Sequence, residues 1–191
     1  MIRADFSHNK PATLEQFHTE ITQLQMNAHG EAYCAHHHAI RRYINELGCT
    51  SYKELGVFQG ATAANACLIP EIKKITLVDM NLDPFKEFID LFETFCEKEE
   101  KELDLREMSS LDQRSISDAD LLFIDSYHQV KHLRSELRLH SESIAKGIVF
   151  HDINKHNLLS GVKQFVTENR HLWSIREVFK ENTGFAVIVR K

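Results

Sequence analysis

The chain has 191 residues, 42% of them hydrophobic and 27% charged, the mix of an ordinary globular domain whose core needs neither disulfides nor a structural metal. A formal net charge of -5 without a basic stripe excludes a nucleic-acid-binding surface. No apolar run approaches the roughly 20 residues of a membrane span, and Cys34, Cys49, Cys67 and Cys96, with no C-x-x-C pair, read as reduced thiols of a cytoplasmic protein.

In chain order, Leu14, Phe17, Ile21, Leu24 and Ala28 recur at helical spacing, with Thr13 and Gln16 placed as a capping box and Gly30 as a stop. A second helix is expected over Glu31 to Leu47. It carries His36, His37 and His38, which point around the helix at intervals of about 100°, so one of them can face a pocket while a shared metal is disfavoured. After Gly48 the pattern alternates. "YKELGVF" predicts a strand, "GATAANACLI" a helix, "ITLVDM" a second strand and "DPFKEFIDLFETFCEK" a single helix capped by Asp83. The aromatic stripe of that helix, Phe85, Phe88, Phe92 and Phe95, reads as packing against a sheet. A weaker strand is expected near Leu103 to Met108, and a strong one in "DLLFID". Val130, Leu133, Leu137 and Ile144 predict a helix running to Gly147, before the strand "GIVFHD" and the helix "LSGVKQFVTEN".

Strand alternating with helix over near-continuous apolar strands means a parallel sheet covered on both faces. "WSIREVFK" and "GFAVIVRK" break the rule: too few residues separate them for a parallel crossover, so they form an antiparallel hairpin. The expected organisation is a helical appendage over residues 1–48 and an α/β domain over 49–191.

Ligands of open α/β sheets bind beyond the carboxyl ends of the strands. There the chain places Glu54, Gly56, Phe58 and Gly60 after the first strand and Asp79 after the second. Ser109 and Ser110 follow the third, Asp125 and His128 the fourth, and His151 and Asp152 the fifth. "ELGVFQGATA" resembles the E-x-G-x-x-x-G motif of class I S-adenosylmethionine-dependent methyltransferases, and lacks the G-x-G-x-x-G spacing of a dinucleotide site. "LLFIDSYHQVKHLRSEL" followed by "GIVFHDI" is similar to the branch that includes sugar and macrolide O-methyltransferases and the cephalosporin-biosynthesis methyltransferase-like proteins. The motifs cover roughly residues 50 to 155, and topology covers the rest.

The resemblance implies a Rossmann-like methyltransferase fold, a mostly parallel seven-stranded sheet with a C-terminal antiparallel hairpin. It implies S-adenosylmethionine bound by Glu54, Gly56, Phe58, Gly60, Asp79, Ser110 and Asp125. It further implies magnesium or another divalent metal held by Asp125, His151 and Asp152, with His128 as general base and Asp125 beside it in catalysis. The acceptor implied is a hydroxyl of a small molecule or sugar, without nucleic acid or membrane and with room for a homo-oligomer. A metal-bound hydroxyl loses its proton more readily, and a histidine near its ordinary pKa of ~6.5 can accept it. Relatives often carry a carboxylate where this chain has His151, so the metal preference is shifted or the metal is dispensed with. Two other readings stay open. One is a metal-free transferase to oxygen or nitrogen with His128 or Tyr127 near the acceptor; the other is a non-catalytic domain that keeps the cleft for binding or assembly.

Overall fold

A computed structural model describes residues 4–6 and 10–191, so residues 1–3 and 7–9 of the expected appendage lie outside it. Helix α1 (Leu14–His29) starts at Thr13, whose side chain accepts the Gln16 N–H, while Gln16 Oε1 accepts the N–H of Ala12. A 3-10 turn (Glu31–Cys34) leads into α2 (Ala35–Leu47), so the second expected helix is tighter in its first turn.

Five parallel strands follow: β1 (Ser51–Leu55), β2 (Lys74–Asp79), β3 (Glu102–Glu107), β4 (Ala119–Ile124) and β5 (Ile144–His151). β6 (Trp173–Phe179) and β7 (Phe185–Arg190) form the expected antiparallel hairpin. The sheet order is β3-β2-β1-β4-β5-β7-β6, with β7 antiparallel to β5. The direction of winding reverses between β1 and β4, which opens a crevice at their carboxyl ends.

The interstrand helices are α3 (Ala61–Cys67), α4 (Asp83–Lys86), α5 (Ile89–Lys98), α6 (Val130–His140) and α7 (Leu158–Glu168). The single helix expected over residues 83–98 is therefore broken at Glu87 and Phe88. The break lets two rings serve different neighbours: Phe88 turns onto Phe17, centroids 4.4 Å apart, while Phe85 packs on Phe92 at 4.7 Å. Asp83 is the first residue of α4 and not its cap; its N–H donates to the Asn81 side chain at 2.8 Å. The helix expected to reach Gly147 stops at His140. Ser143 Oγ donates to the carbonyls of His140 and Ser117, and Ile144 already pairs with Ala119 in β5.

One core layer joins α1, α2, α3 and α5 to the sheet through residues such as Phe17, Ile40, Tyr52, Phe92 and Phe123. The other joins α6 and α7 through Leu133, Leu137, Val162 and Phe165. The N-terminal helices thus share a core with the sheet. They are also tied to the far hairpin: Tyr43 Oη donates to Glu177 at 3.0 Å, Arg42 pairs with the same carboxylate, and Asn182 Nδ2 donates to the His29 carbonyl at 2.5 Å. Among the described residues no helix is long and apolar enough to cross a membrane.

Candidate functional site

A cavity of about 490 Å3 opens at the carboxyl ends of the parallel strands. Glu54, Gly56, Phe58, Asp79, Ser110, Asp125 and His151 line it; Gly60, His128 and Asp152 do not.

Gly56 and Gly60 both have positive φ, 91° and 84°, where a side chain is strained. A Cβ on Gly56 would fall 2.3 Å from the Asp125 carbonyl oxygen, so this glycine lets the turns after β1 and β4 touch. A Cβ on Gly60 would fall 2.5 Å from the Phe85 ring. The bare backbone there makes room for Phe85 and not for a ligand, which corrects the reason the motif suggests.

Asp79 supports that turn from the second strand. Its Oδ2 accepts the N–H groups of Val57 at 2.7 Å and Phe58 at 3.0 Å, and its Oδ1 accepts the Asn81 N–H at 3.0 Å. Glu54 is buried beneath, accepting the Tyr52 hydroxyl at 2.6 Å. Burial pushes its carboxyl well above the ordinary range, overcoming the opposing effect of that hydrogen bond, and Asp125 and Asp79 push the same way. Glu54 therefore favours the neutral acid, able to donate a hydrogen bond into the cavity.

The ends of β4 and β5 bring four titratable groups together. His128 Nε2 lies 3.1 Å from Asp125 Oδ1 and 3.1 Å from Asp152 Oδ2. His151 Nδ1 lies 3.2 Å from Asp125 Oδ2 and 3.5 Å from Asp152 Oδ1, and its Nε2 is 3.0 Å from Thr183 Oγ1. Lys155 Nζ closes on Asp152 Oδ2 at 3.1 Å. Burial would raise Asp125, but the charge of His151 and the bonds from both histidines outweigh it and hold the carboxyl down at about 2. The hydrogen bond to Asp125 raises His128; Asp125 also raises His151 against the opposing effect of burial. Asp152 holds its carboxylate here from a left-handed backbone, φ 55°, a conformation that costs a non-glycine residue about 1–3 kcal/mol unless surrounding contacts enforce it.

The donor set that converges most closely is Asp125, His128 and Asp152, one atom from each lying within 4.8 Å of the others. It differs from the set implied by resemblance in having His128 where His151 was expected. Asp152 Oδ1 is buried without a hydrogen-bond partner, as a vacant ligand atom would be. The residues fit a divalent cation, and two carboxylates with an imidazole suit manganese, zinc or iron better than magnesium, which prefers oxygen alone.

Several wall residues escape a reading by strand ends. Gln25, Tyr33 and His36 come from the N-terminal helices and roof the cavity, and Thr62 comes from α3. His36 stacks on Phe123, centroids 5.4 Å apart and 9° between planes, and its two nitrogens meet the Tyr33 carbonyl and Thr62 Oγ1. His132 enters from α6, bonded at Nε2 to Ser110 Oγ at 3.2 Å. Behind the wall, Lys53 is fully buried in β1 and donates to the Ser115 carbonyl at 2.5 Å and to His140 Nδ1 at 3.1 Å. His140 Nε2 in turn donates to the Ser110 carbonyl at 2.7 Å, so the cavity-lining turn after β3 is fastened from inside the core. A lysine inside a strand covered on both faces is itself a signal that a buried partner must exist.

No protein-family model and no curated protein matches the chain. Solved structures do. A provisionally assigned caffeoyl-CoA O-methyltransferase from Staphylococcus aureus aligns with a TM-score of 0.66 at 11% identity, over 97% of this chain and 95% of that one. An O-methyltransferase from Bacillus cereus, in complex with S-adenosylhomocysteine, gives 0.58 at 14% identity, over 97% and 93%. An N-methyltransferase from Bradyrhizobium japonicum, also in complex with S-adenosylhomocysteine, gives 0.61 at 14% identity, over 93% and 96%. The chain has the Rossmann-like fold found in these methyltransferases, with the parallel sheet and antiparallel C-terminal hairpin expected from its sequence.

Proposed function

We propose that the protein is an S-adenosylmethionine-dependent O-methyltransferase acting on a hydroxyl of a small molecule or sugar. The observation that carries this reading is the convergence of the strand ends on one roofed cavity, with Glu54, Asp79, Ser110 and Asp125 in its wall, in a fold that similar proteins use with S-adenosylhomocysteine. Methyl transfer from a sulfonium to oxygen needs the donor and acceptor in line and the acceptor proton removed. A cavity walled mostly by apolar and uncharged groups suits a reaction in which a cation and an alkoxide neutralise each other.

Asp125 is shared by two parts of the site: it lines the cavity, and it holds His128 behind it. In this reading His128 receives the acceptor proton at the rim, and Asp125 and Asp152 orient its ring. A divalent cation, when bound by Asp125, His128 and Asp152, supplies acidification of the acceptor hydroxyl; His151 and Lys155 then balance the two carboxylates. The same geometry without a metal leaves His128 hydrogen-bonded to both acids.

Calorimetric titration with S-adenosylmethionine and S-adenosylhomocysteine tests the reading. Micromolar binding is expected, and the absence of binding at millimolar ligand sinks it. A screen of hydroxylated metabolites for S-adenosylhomocysteine release then identifies the acceptor, and His128→Gln is expected to lower kcat by about 10²–10⁴-fold.

A further inference from the structure

Three histidines stand in the cavity wall, His36, His132 and His151. Two of them have both ring nitrogens engaged: His36 with the Tyr33 carbonyl at 3.1 Å and Thr62 Oγ1 at 3.2 Å, His151 with Asp125 at 3.2 Å and Thr183 at 3.0 Å. His132 differs. Its Nε2 lies 3.2 Å from Glu136 Oε1 and 3.2 Å from Ser110 Oγ, while its Nδ1 meets no partner among the described residues and is not sealed from solvent.

Glu136, one turn further along α6, is fully buried. Its Oε1 accepts the Ser126 hydroxyl at 2.5 Å as well as facing His132, and its Oε2 has no partner. A carboxylate oxygen that only accepts must face a protonated ring nitrogen. The neutral imidazole therefore carries its proton on Nε2, and the lone pair is on Nδ1, open to the cavity. Around it the wall offers broad apolar faces: Met80 is 76% exposed and Tyr127 58% exposed although both are large, and the Tyr127 ring stands edge-on to His132 at 5.4 Å.

We propose that His132 is a specificity-determining residue for the methyl donor, its Nδ1 accepting an N–H from the amino group of the donor's purine. Glu136 is the positioning residue that sets its tautomer. This rests on the reading of the cavity as the donor site. A planar amino-substituted heterocycle matches what the wall presents, flat faces for Met80 and Tyr127 and an edge N–H for one fixed acceptor. The aliphatic amino-acid end of the donor lacks the flat faces. Because Glu136 and Ser126 hold the ring in place, the acceptor is oriented before the ligand arrives.

The test compares binding of S-adenosylhomocysteine with its 6-deamino analogue, in which hydrogen replaces the purine amino group. The wild-type protein is expected to favour the amino form by roughly ten-fold, the effect of one hydrogen bond to a group otherwise left unpaired. In His132→Leu the preference falls to near one, and His132→Asn, which keeps an oxygen acceptor, restores part of it. Glu136→Gln lowers the preference while leaving binding of the deamino analogue unchanged. Equal binding of the two ligands by the wild type overturns the proposal without any variant needing to fold. A preference that survives in His132→Leu overturns it as well. If the wild type binds neither ligand, the donor-site reading itself fails, and the two failures are distinct.

Discussion

The ring of His36 lies against that of His151, centroids 4.1 Å apart and 42° between planes. The two rings have opposite electrical leanings. Burial, with the neighbouring charges of His151 and His37, drives His36 well below the ordinary histidine range, whereas the Asp125 carboxylate raises His151 against its burial. A neutral ring from the roof thus covers a ring that favours the charged form. Removing it exposes Thr62 and opens a void against Phe123. His36→Ala is expected to cost about 2–4 kcal/mol in urea unfolding, and His36→Phe, which keeps the stacking, less than half of that. Equal losses in the two variants would show that packing is not what the ring supplies.

Acid should unfold the protein through its neutral histidines. Burial holds His18 down at about 4, and it lowers His36 and His37 well below the usual value and His140 in the same direction. In the unfolded chain these rings bind protons near 6.5, so between that pH and about 4 the unfolded state holds more protons. Their stabilisation is full above pH 6.5 and is lost as the pH falls. His128 and His151, being raised, act oppositely: their contribution is full below pH 6.5 and fades as the pH rises through their folded values. Urea midpoints are therefore expected to be highest near neutrality and to fall on the acid side. The double variant His18→Phe, His37→Phe should flatten the acid limb, and an unchanged limb would contradict this account.

Gly60→Ala tests the packing role of that glycine. A side chain at φ 84° that meets the Phe85 ring at 2.5 Å should cost roughly 1–3 kcal/mol. Adding Phe85→Ala removes the clash but not the backbone strain. The double variant should then be less destabilised than the sum of the two single variants, measured by a thermodynamic cycle. Strict additivity would mean that the ring simply moves aside.

Much of this architecture was legible because it is periodic. The apolar strands, the alternation with helices and the short link before "GFAVIVRK" define the sheet and its hairpin, and a parallel sheet then dictates where the polar strand ends gather. The break at Phe88 was not legible, since Phe85, Phe88 and Phe92 keep helical spacing through it and only the partners Phe17 and Gly60 reveal two directions of packing. Ile144 misled for a similar reason: its spacing continues the α6 stripe, but its partner is Ala119 in the sheet. His36 and His132 stand on helices far from any strand end in sequence, and their place in the cavity follows from tertiary docking. Lys53 looked like the polar half of an alternating strand, whereas it is buried with His140 as its partner.

Lys53 offers a prediction of its own. Burial brings its ammonium down to about 8, yet its two hydrogen bonds hold the Ser115 carbonyl and, through His140, that of Ser110. Lys53→Met fills the space but leaves those acceptors unpaired. It is expected to lower the melting temperature by several degrees and to weaken S-adenosylhomocysteine binding by about ten-fold as the Ser110 turn loosens. Unaltered affinity in a folded Lys53→Met protein would show that the turn holds without this anchor.

The metal question has a direct readout. Manganese or zinc should raise the melting temperature of the wild-type protein, because an ion that binds the folded state alone stabilises it. Asp152→Asn should abolish most of that shift, and magnesium should act more weakly than either. A shift retained in Asp152→Asn would place the ion elsewhere.

The position of β7 has a bearing on how the protein comes to be made. β6 is synthesised before β7 but reaches the sheet only through it, and Glu177 and Asn182, which flank the hairpin turn, tie down the roof helices. On a translating ribosome the helices and the five parallel strands can assemble early, while the roof waits for a segment some 130 residues downstream of it. Ligand binding should therefore appear late and all at once in a series of lengthening nascent chains, after β7 has emerged, and a chain halted before Phe185 should hold its sheet without holding its cofactor.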